Sequence, residues 1–168
     1  MNLQELQTLV DYHYWARDRL FEAVERLSPE QLTRVLGNSF PSIRDTLVHL
    51  FGAERIWCAR WEGVEAPPRP DAGAFGDLAA IRRAWSDSER SIRGVLDRTG
   101  EGGLTRSITY KTLDGTPSSQ PFWQMLQHVV NHGSYHRGQV TTLLRQLGAA
   151  PARSMDLIAF YRERVPRG

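Results

Sequence analysis

The 168-residue chain is the length of one domain, and its 40% hydrophobic and 24% charged residues are ordinary globular usage. No apolar run approaches the ~20 residues that cross a bilayer, which excludes a membrane-spanning helix. A formal charge of +2, spread over arginines that alternate with acids and a single lysine at Lys111, excludes the basic block of a nucleic-acid footprint. Cys58 is the only cysteine, so there is no internal disulfide and no thiolate-rich zinc or iron-sulfur site, and any metal must be held by nitrogen and oxygen.

The opening residues carry no basic stretch followed by an apolar core and a small-residue cleavage site, so the expected compartment is the cytoplasm. From Leu3 to Leu27 apolar side chains recur at helical spacing (Leu6, Val10, Leu20, Phe21, Val24), which predicts a first long amphipathic helix. Ser28, Pro29 and Gln31 supply the cap, the first-turn proline and the third-position amide of a short second helix ending by Gly37. A second long helix is predicted from Ser42 to Gly63, a glycine suited to a left-handed stop, with Ile43, Leu47, Leu50, Trp57 and Trp61 on one face.

Residues 63–76 are rich in Pro, Gly and Ala without a period, and predict a connecting loop. A third long helix should start at Asp77, face Leu78, Ile81, Trp85, Ile92, Val95 and Leu96 inward, and stop in the glycines at 100–103. The stretch 104–120 alternates, contains Ile108, Thr109 and Tyr110, and places Asp114-Gly115 for a turn, so a short hairpin or extended insert is expected. A fourth long helix runs from Pro121 to Leu147, stopped by Gly148, and a last short one from Asp156 to about Val165. The expected fold is all-α: one four-helix-bundle domain over residues 1–168 with a hairpin insert before its last long helix.

Chemistry concentrates in the histidines. His128, His132 and His136 are spaced four apart on the last long helix, and imidazoles at that spacing stand one above the other, close enough to share an ion. Wound at about 100° per residue, His136 falls within the core arc marked by Met125, Val129, Val140 and Leu143, His132 lies at its border, and His128 lies toward the polar side near Gln139. The pair that points inward is therefore His132 and His136, with His128 behind it or at the mouth. His49 is the natural third ligand from a second helix, although it sits roughly 120° from the centre of that helix's apolar face, in a strip with Ala53 and Arg60.

Spacing alone leaves the ligand reading and that of packed core histidines both open. No H-E-x-x-H peptidase signature is present, because Gly133 follows His132. Glu54, amid an apolar face, reads as a carboxylate paired with an arginine before it reads as a proton acceptor. Cys58 reads as packing, and His13 has no partner at metal spacing.

The run NHGSYHRGQVTTLLRQLG (131–148), preceded by Gln127-His128, resembles the hallmark of the DinB/YfiT-like superfamily of bacterial four-helix bundles. SFPSIRDTLVHLFGAERIWCARWEG (39–63) is similar to that family's second helix, DYHYWARDRLFEAVERLSPEQL to its first and DLIAFYRERV to its closing segment, so the likeness spans nearly the whole chain. The resemblance implies a divalent ion, zinc or nickel, held by His49, His132 and His136. It also implies one of two functions. The first is a metal-dependent transferase, isomerase or hydrolase acting on a small molecule with a low-molecular-weight thiol or metal-bound water, in which Arg137 or arginines near the mouth recognise an acidic group. The alternative is a metal-binding stress-response protein without turnover. Homodimers formed by helix packing belong to the same set of expectations; nucleic acid and membrane do not.

Overall fold

The computed structural model describes residues 1–112 and 114–164. Four long helices make the bundle. α1 (Leu3–Val24) opens with a reciprocal cap in which the Asn2 side chain accepts from the Glu5 amide (2.9 Å) and the Glu5 carboxylate accepts from the Asn2 amide (2.8 Å). It closes three residues before the expected Leu27, because the Leu27 amide turns back to the Val24 carbonyl just ahead of the next cap. That cap is Ser28, which with Gln31 starts α2 (Pro29–Thr33), a single turn and shorter than the reach to Gly37 suggested.

α3 (Ile43–Glu62) starts on the Ser42 cap and ends at Gly63, whose φ of 71° is the left-handed stop expected of it. The following loop holds one 3-10 turn at Ala72–Ala74. α4 (Leu78–Gly103) breaks within its glycines, where Gly100 has φ 56° and ψ −178°, and then resumes for a last turn. β1 (Ser107–Lys111) and β2 (Pro117–Pro121) pair antiparallel with Ile108 opposite Gln120 and Tyr110 opposite Ser118. Gly115 turns the hairpin at φ 86°, and the Asp114 carboxylate accepts from the Thr116 amide and the Thr112 hydroxyl.

The second strand runs directly into α5 (Phe122–Gln146), followed by Leu147 and stopped at Gly148 with φ 68°. α6 (Leu157–Arg164) lies on α1; the expected end at Val165 falls outside the described residues. Around the bundle the neighbours are α1, α4, α3, α5 and α1 again. Their shared interior is built mainly on apolar side chains, among them Phe21, Phe51, Trp85 and Phe122, with Phe21 and Trp85 edge to face at 5.7 Å. The arrangement is the expected all-α four-helix bundle with its hairpin insert, and no helix among the described residues is long and apolar enough to cross a membrane.

Candidate metal centre

His49 stands on the flank of α3 that faces α5, not on the face turned to the bundle axis. Across from it, one turn of α5 presents His132 and His136. Their Nε2 atoms converge: His49 to His132 is 3.0 Å, and His136 to His132 is 3.1 Å. The three ligand atoms all lie within 4.8 Å of one another, and no other histidine, cysteine or carboxylate joins the group among the described residues. The structure thus brings together all three residues the sequence singled out.

Hydrogen bonding alone satisfies this cluster poorly. A ring nitrogen carries either a proton or one in-plane lone pair, so His132 Nε2 can serve only one of its two neighbours well. A cation among three lone pairs serves all of them, and bonds near 2.0 to 2.1 Å to a tetrahedral ion put ligand nitrogens roughly 3.3 Å apart, close to the spacing found.

The surroundings keep the lone pairs available. His132 is pushed down to about 3 and His49 to about 4, in both cases first by burial and then by the cost of placing a charge beside His136, with Arg69 adding to it at His49. His136 is lowered by burial, against a partner that pulls the other way: its Nδ1 lies 2.7 Å from Gln139 Oε1. That contact places the proton on Nδ1 and leaves Nε2 bare toward the cluster. Gln139 is itself held, its amide donating to Ser39 Oγ at 2.8 Å, and Phe40 stacks on His49 with ring centres 4.1 Å apart. Angular position had put Gln139 on the polar side, and only its place three residues after His136 hinted at this role.

His128 stays out of the triad. It lines the adjoining cleft, 5.9 Å from His132 and 5.2 Å from Trp57 between ring centres, as its position nearer the polar side predicted. This cleft has a volume of about 860 Å³ and is bordered by His49, His132, Trp57, Tyr110 on the hairpin, and Arg69 on the loop after α3. Gly52 makes the loop's approach possible: a Cβ there would stand 2.7 Å from Cδ of Pro70.

A second polar assembly lies deeper, and it joins all four long helices. Glu54 of α3 is 2% exposed; its Oε1 accepts from Trp85 Nε1 of α4 (2.7 Å) and lies 2.8 Å from His13 Nε2 of α1, and its Oε2 accepts from Tyr14 (3.1 Å). Arg137 of α5 is buried too, its Nη1 3.2 Å from His13 Nδ1 and its Nη2 donating to Ser134 at 2.9 Å. Because a guanidinium only donates, His13 Nδ1 accepts and Nε2 carries the proton toward Glu54. His13 is a neutral bridge between a buried anion and a buried cation, its pKa lowered by burial despite the opposing pull of Glu54.

Two expectations change here. Glu54 meets no arginine directly; a histidine, a tyrosine and a tryptophan take that place, with Arg137 one ring further on. Arg137 is not at the cleft mouth, because its guanidinium turns inward to His13. Cys58 is packing, its thiol pushed up to about 12 mainly by burial.

The comparisons agree with this architecture. The model of the DinB family matches residues 1–164. The chain belongs to the DinB family. Among curated DinB relatives, Protein DinB of Bacillus subtilis (strain 168) is 27% identical over 152 residues, covering 86% of this chain and 87% of that protein. A DinB-like protein from Bacillus cereus ATCC 10987, solved by crystallography, superposes with a TM-score of 0.67 at 17% identity, over 87% of this chain and 95% of that one. At that identity the likeness concerns the fold.

Proposed function

We propose that this DinB-family protein holds one divalent ion, zinc or nickel, on His49, His132 and His136, and presents it to a small molecule in the adjoining cleft. The observation that carries the reading is the meeting of three Nε2 atoms at 3.0 and 3.1 Å around a nitrogen that cannot satisfy both neighbours by hydrogen bonds. Three neutral imidazoles without a fourth protein ligand are the donor set of a catalytic rather than a structural site, and a bound ion would lower the pKa of a coordinated water or thiol toward 7. The chain's own residues do the rest. Gln139 fixes the His136 ring, Phe40 holds His49, and the cleft walls position whatever approaches. The reaction class this supports is transfer, isomerisation or hydrolysis with a low-molecular-weight thiol or metal-bound water.

One observation favours the second reading, a metal-binding protein without turnover. Glu54 is consumed by His13, Tyr14 and Trp85, and so supplies no general base to the triad. Elemental analysis of the purified protein beside His49→Ala and His136→Ala variants tests the shared claim, with one ion per chain expected in the parent and loss in both variants. Equal metal in all three rejects it. Metal-dependent consumption of a thiol with an electrophilic test substrate then separates an enzyme from a binding protein.

A further inference from the structure

The cleft beside the triad has a chemical preference of its own. Trp57 and Tyr110 meet edge to face at 5.1 Å, and the Arg60 guanidinium lies over both rings, 4.7 Å from one and 4.8 Å from the other. Arg60 has no carboxylate partner among the described residues; its one side-chain hydrogen bond is to the neutral carbonyl of Lys111, at 3.0 Å. Partial burial lowers its pKa, with Tyr110 acting in the opposite sense. Arg69 also lines the cleft and makes no ion pair among the described residues.

Three carboxylates also border the cleft, and each is engaged by neutral donors of its own neighbourhood. Asp45 accepts from the Ser42 hydroxyl, Asp71 from the Gly73 amide, and Asp114 from Thr112 and Thr116. Beside them a ligand meets a flat aromatic wall and two guanidiniums that have no ion-pair partner among the described residues, in a cavity of about 860 Å³, roomy enough for a molecule of some tens of atoms.

We propose that this cleft binds an organic anion with a flat apolar body, the body lying against Trp57 and Tyr110 and the charged end met by Arg60 and Arg69. As the substrate class of the metal reading it rests on that reading, but the binding itself needs no metal. The test is therefore made without one. Calorimetric titration of EDTA-treated protein compares naphthalene-2-carboxylate with its neutral alcohol, naphthalene-2-methanol, and its cationic counterpart, naphthalen-2-ylmethylammonium. A charge-assisted contact predicts that the carboxylate binds about tenfold tighter than either.

Arg69→Gln should weaken the carboxylate about fivefold while leaving the alcohol within about twofold, and Arg60→Gln should do the same. Arg60→Lys, which keeps the charge, should recover part of the loss, and separates a charge effect from collapse of the aromatic stack. Equal affinity for carboxylate and ammonium, or carboxylate binding unchanged in both arginine variants, overturns the proposal. Failure of the metal reading would appear instead as missing metal in the untreated protein, with this titration unaffected.

Discussion

Gly133 and His13 compete for one space: a Cβ on Gly133 would stand 2.4 Å from Cε1 of the His13 ring and 2.8 Å from its Nδ1. The glycine between the two helix-five ligands is therefore what lets α1 press an imidazole against α5. Helix propensity alone would make Gly133→Ala stabilising by about 1 kcal/mol, since alanine is the better helix former. Here the sign reverses. Displacing His13 breaks its contacts with both Glu54 and Arg137, and we expect a net loss of about 2 to 4 kcal/mol in urea denaturation. The same substitution in a His13→Ala background should cost at least about 1 kcal/mol less, and strict additivity of the two changes would contradict the packing described.

Glu54 balances a buried cation through His13. Glu54→Gln preserves shape but leaves Arg137 without its counter-charge, so unfolding experiments should register a loss of about 3 kcal/mol. Pairing it with Arg137→Met removes the stranded cation and should restore part of that loss; a double variant no better than the single would argue against charge balance.

Gln139 reaches the histidine triad through His136. Gln139→Ala should weaken zinc or cobalt binding by about 10-fold to 100-fold, measured by competition with a chromophoric chelator. His136→Ala should weaken it further. Unchanged affinity in Gln139→Ala would mean that the His136 ring is oriented without it.

Acid should destabilise the metal-free protein in a definite window. His49 and His132 titrate at about 4 and about 3 in the folded chain but near the ordinary 6.5 when unfolded. Below 6.5 the unfolded chain binds more protons than the folded one, so stability falls as pH drops. This contribution is complete above 6.5 and is fully lost below about 4 for His49 and about 3 for His132. Urea midpoints of EDTA-treated protein between those limits should fall with pH more steeply in the parent than in His49→Ala or His132→Ala; parallel curves would show that the rings are not held neutral.

The helices were legible because caps and stops are local. Ser28 with Gln31, Ser42, Gly63 and Gly148 each act within a turn of their own position, and each marks a boundary in the structure. His132 and His136 could be picked out by angle, since they share an arc with the core of α5. His49 could not, because the angular test assumes a site on the bundle axis, whereas the triad lies on the flank between α3 and α5. The likeness of its surrounding segment to a known family singled it out instead. The network around Glu54 was beyond any local rule. His13, Trp85 and Arg137 come from three other helices, and nothing in the period of one helix announces what another will bring.

Pro70 rests in the notch that Gly52 leaves on α3, one turn beyond His49. The loop bearing Arg69 is pegged there and again where Phe75 meets Phe51 edge to face at 5.2 Å, while the helices beneath it are locked together elsewhere. A lineage could rewrite that loop, and with it one wall of the cleft, without disturbing the histidine triad. Cleft wall and triad are separately heritable in this architecture, and a glycine one turn from His49 marks the seam between them.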